Sequence, residues 1–288
     1  MDNNQILLDR LSAYHLKTQE DEENALKEIL QEIALYALST TDFFTQAQFH
    51  GGTSLRIFSN LPRFSEDLDF VLKQPSKQFE WEPYLEQIKQ SFRLYGITPE
   101  ITDRQNANAT VKKCFLKDNS IGKILTLHFH HHARKKLCIK LEIDTNPPAG
   151  SQEMLQYLSF PIDFSVVTHD LSSNFAGKCH ALLCRPYLKG RDWFDFVWYI
   201  NQKTPVNLSL LGHALDQSGP WQDQHVKLTA DWLCTALEEK IATISWPQAM
   251  LEVQRFVNHA YADSLNVWNR DFFMHKVTKL KALLSCRT

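Results

Sequence analysis

The chain has no run of 18 apolar residues, so no segment offers the length of greasy helix that a bilayer core demands. Its opening stretch, MDNNQILLDR, carries no basic leader followed by an apolar stretch, and export is not expected. The six cysteines, Cys114, Cys138, Cys179, Cys184, Cys234 and Cys286, form no C-x-x-C pair and no zinc-like spacing. They read as buried thiols of a protein working in a reducing cytoplasm. A large charge excess is also missing. With a formal net charge of -2, any attraction to a polynucleotide has to come from a local basic patch. His169, His180 and His213 have no Ser or Cys companion in a recognisable nucleophile pattern, which removes a hydrolase triad. No internal repeat or biased linker appears. What is present is a hydrophobic fraction of 43%, with 18 Phe and 7 Trp, which excludes a disordered class. A length of 288 residues accommodates one large domain or two ordinary ones.

Periodicity gives the architecture. Between Glu23 and Ser39 the apolar residues Leu26, Ile29, Leu30, Ile33, Tyr36 and Ala37 recur at three- and four-residue steps, one face of a helix. AQFHGGTSLRIF then reads as a short strand that ends in Gly-Gly and turns into a helix, with Thr53 or Ser54 available as its cap. After Pro62, SEDLDFVL alternates like a strand, with Leu68 and Phe70 on one face and Asp67 and Asp69 on the other. A helical segment is expected near Trp81 to Tyr95, followed by strand-like stretches near Val111 to Leu116, Lys123 to His130 and Leu137 to Asp144. A short strand reaches Thr168, and from Leu171 onward the pattern is helical. The expectation is an α+β protein: a mixed sheet with flanking helices over residues 1–169, and a helical bundle over 170–288 that completes a cleft.

Three elements carry chemistry. Gly51-Gly52-Thr53-Ser54 is a strand-to-helix turn whose free amides and helix dipole can cradle phosphate oxygens. Asp67-x-Asp69 puts two carboxylates on one strand face, the hard oxygen donors that Mg²⁺ prefers. Lys140-Leu-Glu142-Ile-Asp144 adds acidic groups on a further strand, and gathered like charges call for a cation. Alone, each has a bland explanation: a common turn, or solvated carboxylates. Together and in this order, they favour a metal and phosphate site.

Here the residues carry a family resemblance. HGGTSLRIFSNLPRFSEDLDF, from His50 to Phe70, resembles the first motif of the AbiEii/AbiGii-type nucleotidyltransferases, toxin halves of bacterial toxin–antitoxin pairs within the DNA polymerase β-like superfamily. Gly-Gly-Thr-x-Leu followed by Arg-x-Ser-x-Asp-x-Asp is matched at every element. LEID, Leu141 to Asp144, is similar to the family's second acidic strand. Lys178-x-x-Ala181-x-x-x-Arg185 and Lys189-Gly-Arg191-Asp192-x-x-Asp195 resemble its third motif. If the helix from Leu171 continues through Arg185, its cations share a face suited to a triphosphate, and Asp192 and Asp195 orient them or join acid–base work. The aromatic residues around those aspartates read as core between the two domains, with the aspartates facing the cleft.

The resemblance implies an NTP substrate whose phosphates meet Gly51, Gly52 and Thr53, with Arg63, Ser65, Lys178, Arg185 and Arg191 as further nucleotide-binding candidates. It implies two Mg²⁺ ions on Asp67 and Asp69, clamping the oxygens of an in-line displacement. Glu142 is the first choice for a third carboxylate, as base or ligand, and Asp144 stays open. Lys178 would neutralise developing phosphate charge. The implied acceptor is an RNA, notably a tRNA 3′ end, and the implied partner an antitoxin protein. A basic surface for RNA is offered by Lys112, Lys113, Lys117, Lys123, His128, His130, His131, His132, Arg134, Lys135 and Lys136, although charges at a hairpin tip commonly only solvate it. His128, His130 and His132 alternate, but lack a cysteine or a recognised metal spacing and read as exposed imidazoles. A non-catalytic nucleotide-binding module and a metal-dependent phosphoesterase are the competing functions.

Overall fold

The computed structural model describes residues 3–104, 109–121, 125 and 136–285. Lys123, His128, His130, His131, His132, Arg134, Lys135 and Cys286 lie outside the described residues, as does most of the strand-like stretch from Lys123 to His130. The chain divides into two compact units. One comprises Met1–Ser59, Phe64–Pro147 and Met154–Thr168, and the other Asn60–Arg63, Pro148–Glu153 and His169–Thr288.

The first unit is built on a mixed sheet. Its elements are α1 (Asn3–Ser12), α2 (Gln19–Ser39), α3 (Phe43–Gln46), β1 (Ala47–His50), α4 (Gly51–Ser59), β2 (Asp67–Leu72), α5 (Glu82–Leu94), β3 (Glu100–Arg104), β4 (Val111–Asp118), β5 (Leu137–Asp144), β6 (Glu153–Leu158) and β7 (Phe164–His169). The sheet order is β3-β4-β5-β2-β1-β7-β6. β1 pairs antiparallel with β2 and parallel with β7, while β2 pairs parallel with β5. This mixture makes the α+β class.

Helix α2 begins with a capping box, Thr18 accepting from the Asp21 amide and Asp21 from the Thr18 amide, and buries its apolar stripe in the sheet-side core. Its polar side chains hold the segment that leads into β2. The fully buried Gln31 amide donates to the Ser65 and Glu66 carbonyls at 3.0 and 2.9 Å, and Glu28 accepts from Arg56 of α4 at 2.7 Å. Phe43, Phe70, Phe79, Trp81 and Tyr84 pack ring against ring beneath the sheet.

Two strands have no counterpart in the sequence expectation. β3, EITDR, and β6, EMLQYL, lie at opposite edges of the sheet, and β6 is exposed along most of its length. An edge strand with little burial needs no alternation of apolar residues, so periodicity does not reveal it. The thiols also differ from expectation. Cys114, Cys179 and Cys234 are buried, but Cys138 is exposed because it takes an outward position of β5.

The second unit is helical: α6 (Leu171–Cys184), α7 (Gly190–Asn201), α8 (Leu208–Gln217), α9 (Ala230–Ala242), α10 (Trp246–Gln254), a 3₁₀ segment (His259–Val267) and α11 (Arg270–Ser285). Its core is aromatic, with Phe175 stacked on Tyr199 at 4.4 Å and Trp246 on Phe273 at 3.9 Å. α6 ends at Cys184, where the sequence pattern placed its end, and does not continue through Arg185. Arg185 is extended, with ψ 131°, because Pro186 follows it and crowds the helical conformation of the preceding residue. Among the described residues no helix is long and apolar enough to cross a membrane.

Candidate active site

Strand β1 places His50 opposite Asp69 and ends where Gly51, at φ +80°, turns the chain straight into α4. That backbone conformation suits a residue without a Cβ. The vacant space is used: Asp69 Oδ2 lies 2.8 Å from the position a Gly51 Cβ would take. A carboxylate therefore stands against the first turn of a helix, where amide dipoles favour negative charge. Thr53 and Ser54 do not cap this helix as expected. Both lie inside it, buried, and the Thr53 hydroxyl donates instead to the Asp67 carbonyl, tying α4 to β2.

The parallel register of β2 and β5 sets Asp67 opposite Lys140, Asp69 opposite Glu142 and Val71 opposite Asp144. Strand alternation puts all five charged side chains on the face away from the core, half-buried. The Lys140 ammonium bridges the strands, 3.1 Å from Asp67 Oδ2 and 2.9 Å from Glu142 Oε2. Lys113 of β4 reaches Glu142 Oε1 at 2.9 Å. Asp144 accepts from the Asn146 amide at 2.9 Å in the turn after β5. The expected cage of Asp67, Asp69, Glu142 and Asp144 is thus not gathered, and no three His, Cys, Asp or Glu side chains among the described residues form a metal-holding group. Two lysines draw the Glu142 oxygens to themselves, and the register carries Asp144 one step further along the strand.

In the helical unit a second charged group is buried. Lys178 Nζ lies 2.7 Å from Asp192 Oδ1 and 2.8 Å from Asp195 Oδ2. Arg63 grips Asp195 with two bonds of 2.6 Å, and Arg185 reaches Asp192 at 2.5 Å. Asp195 is fully buried and Arg63 nearly so. Such a network is no surface patch of solvated ion pairs. Arg63 is committed to Asp195, so its place is structural support, whereas Lys178 and Arg185 keep more exposure. The Arg191 guanidinium meets Glu252 at 3.1 Å and lies over the Phe256 ring. Ser65 presents its carbonyl to Gln31. Arg185, Lys189 and Lys240 line a cavity of about 220 Å³ with Asp192, Tyr187 and Trp193.

The family profile described as nucleotidyl transferase AbiEii toxin, type IV toxin–antitoxin system, matches residues 33–272. The chain belongs to the AbiEii nucleotidyltransferase toxin family. It is accordingly a nucleotidyltransferase. No curated protein matches it. Two solved structures share the fold. A candidate nucleotidyltransferase of H. pylori aligns at TM-score 0.50 and 16% identity, over 94% of this chain and 95% of that one. MenT4, a nucleotidyltransferase toxin of Mycobacterium tuberculosis H37Rv, aligns at TM-score 0.51 and 13% identity, over 96% and 98%.

Within this AbiEii chain the electrostatics separate the two groups. On the sheet, burial and then the Asp69 charge push the Asp67 carboxyl above the ordinary carboxylate range, against the pull of Lys140. Burial acts on Glu142 in the same sense, but the hydrogen bonds from Lys113 and Lys140 outweigh it and hold its carboxyl below that range. In the helical unit burial opposes ionisation of Asp192 and Asp195. Lys178 and Arg185 on the first, and Arg63 and Lys178 on the second, overcome it and keep both carboxyls low. Lys189 is pushed down by burial and by the charges of Arg185, Arg191 and Lys178, against the attraction of Asp192. Lys140 and Lys240 are site residues the sequence did not single out. For Lys140 a signal existed, a cation alternating with Glu142 and Asp144 on one strand; for Lys240 there was none.

Of the expected basic surface, the described residues keep little. Lys112 faces the core, its ammonium donating to the Phe79 carbonyl, because it occupies an inward position of β4. Lys113 and Lys136 are paired with Glu142 and Glu100.

Gly51→Ala should lower stability by about 1–2 kcal/mol through the left-handed backbone alone, and further by pressing on the Asp69 carboxylate. Urea unfolding that left the midpoint unchanged would contradict this geometry. Asp195→Asn leaves Arg63 and Lys178 buried with too little negative charge and should cost about 3–5 kcal/mol at pH 7. Because the folded-state pKa of Asp195 is depressed, its contribution is present above the unfolded value near 4 and is lost as pH falls below it. The stability gap between native protein and variant should therefore narrow on acidification, measured by urea midpoints at descending pH.

Proposed function

We propose that this chain transfers a nucleotidyl group from an NTP to a hydroxyl of an RNA, a tRNA 3′ end being the acceptor that its family resemblance implies, and that it acts as the toxin of a toxin–antitoxin pair in the bacterial cytoplasm. One observation carries the placement of the reaction: the Asp69 carboxylate stands against the Gly51 turn at the start of α4, with Asp67 two residues before it on the same face. On this reading phosphate and metal recognition meet at the end of β1 and the start of β2, within one unit.

The donor set fits a hard divalent cation. Asp67 and Asp69 offer carboxylate oxygens, like charges that raise the Asp67 pKa, and Lys140 already supplies positive charge between Asp67 and Glu142. Magnesium held by Asp67 and Asp69 would act as a Lewis acid on phosphate oxygens. The residues do the rest. The amides of Gly51, Gly52 and Thr53 receive a phosphate, oriented by the α4 dipole. The acceptor hydroxyl releases its proton to solvent as its oxygen forms a bond to the α-phosphorus, the bond to the bridging oxygen breaks, and pyrophosphate leaves. Glu142 is assigned to holding positive charge rather than taking a proton, since two lysines keep its carboxyl acidic. Lys178 and Arg185, kept charged and oriented by Asp192, are assigned to phosphate oxygens. Arg63 and Asp195 hold Lys178 in place.

Incubation of the protein with Mg²⁺, each α-labelled NTP and total tRNA should label RNA, and Asp69→Ala should lower the rate by a factor of about 100 or more. Equal labelling by the variant defeats the assignment. NTP binding without any turnover selects a non-catalytic binding module, and release of free nucleotide without labelled RNA selects a phosphoesterase. A second test reads the metal directly. Lys140→Gln removes the ammonium that competes for Asp67 and Glu142, so Mn²⁺ should bind about threefold to fivefold more tightly, the ~1 kcal/mol scale of a partly exposed ion pair. Electron paramagnetic resonance of free Mn²⁺ measures it; affinity equal to that of the unchanged protein shows that Lys140 does not compete.

A further inference from the structure

The helical unit contains a cavity of about 420 Å³, away from the cations of the Asp192 group and with a different lining. Its walls are aromatic: Phe194 and Trp198 from α7, Trp268 after the 3₁₀ segment, and Phe272 from α11. Its volume falls within the range of roughly 300–1,000 Å³ common to small-molecule sites, which are mostly apolar with a few convergent polar groups. Here the polar lining includes Lys276, Asn201, Gln202, Asn60, Ser264 and Tyr261.

Lys276 is the feature that packing alone does not account for. Only 7% of it is exposed. Its ammonium donates to Asn201 Oδ1 at 2.7 Å and lies 5.1 Å from the centre of the Phe272 ring. No carboxylate among the described residues forms an ion pair with it, and Lys279 adds further positive charge nearby. A buried ammonium costs free energy unless a negative group compensates it. An amide oxygen and a ring face supply partial compensation, and an ammonium has further N–H donors to offer at the cavity that Lys276 lines. Structural lysines with this degree of burial ordinarily have a carboxylate partner; the lack of one among the described residues and the ring-lined cavity are two separate observations with one chemical answer.

We propose that this cavity binds a small planar aromatic acid, its ring between the aromatic walls and its acidic group on the Lys276 ammonium. Ring contacts supply the apolar burial and offset stacking, and the charge-assisted hydrogen bond supplies selection for an anion over a neutral analogue. Asn201 orients the ammonium through its side-chain oxygen. The site is independent of the transferase assignment, since none of the residues given a role in nucleotidyl transfer lines it.

The probe is 2-naphthoate, with 2-naphthamide as its neutral counterpart, titrated into the full chain while tryptophan fluorescence is followed, Trp198 and Trp268 being in the walls. The expected result is saturable quenching by the acid, with at least tenfold weaker binding of the amide. Lys276→Met should abolish that preference, bringing the acid to within about twofold of the amide, while thermal melting shows the variant folded and no less stable than the native chain. Val267→Trp, at a position on the rim that is 52% exposed, should weaken both ligands by filling the mouth, and it leaves the buried lysine untouched. The proposal is overturned if the native protein does not bind naphthoate at millimolar concentration, if it binds acid and amide alike, or if the Met variant retains the preference for the acid.

Discussion

The arrangement of charge on the sheet follows from a single pairing, the parallel register of β2 on β5. Because Asp67 lies opposite Lys140 and Asp69 opposite Glu142, three carboxylates share one half-buried face, where water screens them only in part. Lys140 makes that face tolerable, with its ammonium between Asp67 and Glu142. Shift the register by one residue and every one of these side chains would turn into the core, while Leu68, Phe70 and Leu141 would turn out. The apolar half of each strand therefore enforces the placement of the chemical half, and the folding energy of the core holds a group of like charges that would otherwise separate.

In the helical unit the same problem is solved in the same way. Asp192 and Asp195 are buried one helical turn apart, and Lys178 sits between them as Lys140 does between Asp67 and Glu142. The bidentate Arg63–Asp195 pair fixes one end of that chain of contacts, and fixing it determines the orientation of Lys178. Arg63 lies in the short segment Asn60–Arg63 that belongs to the helical unit although its chain neighbours on both sides belong to the sheet unit. Its proximity in sequence to Ser65 and Asp67 suggested a nucleotide contact. In the fold its partner stands 132 residues away.

That case shows where the sequence is legible and where it stops. Features encoded within a few residues can be read: the strand and helix around Gly51-Gly52, the alternation that puts Asp67 and Asp69 on one face, and the helix carrying Asp192 and Asp195. Features fixed by pairing distant segments cannot. The choice of Glu142 as neighbour of Asp69 depends on a strand register, and the bridging role of Lys140 depends on the same register, so both were open while only the chain was known. The end of α6 at Cys184 was legible, since Pro186 forbids a helical Arg185, whereas a helical face shared by Lys178 and Arg185 would need the helix to run one residue further. β3 and β6 escaped notice because edge strands are little constrained by burial.

The charge of each group indicates what it lacks. On the sheet, Asp67, Asp69 and Glu142 face Lys140 and Lys113, so among the described residues the carboxylates outnumber the ammonium groups. In the helical unit, Asp192 and Asp195 face Arg63, Lys178 and Arg185, with Lys189 and Lys240 beside the same cavity, and there the cations are in excess. A bare triphosphate would suit the second group and repel the first, whereas a bare divalent cation would do the reverse. Each imbalance is a property of the side chains and their immediate partners within its own unit, so a chain with almost no net charge carries two strongly charged local fields of opposite sign.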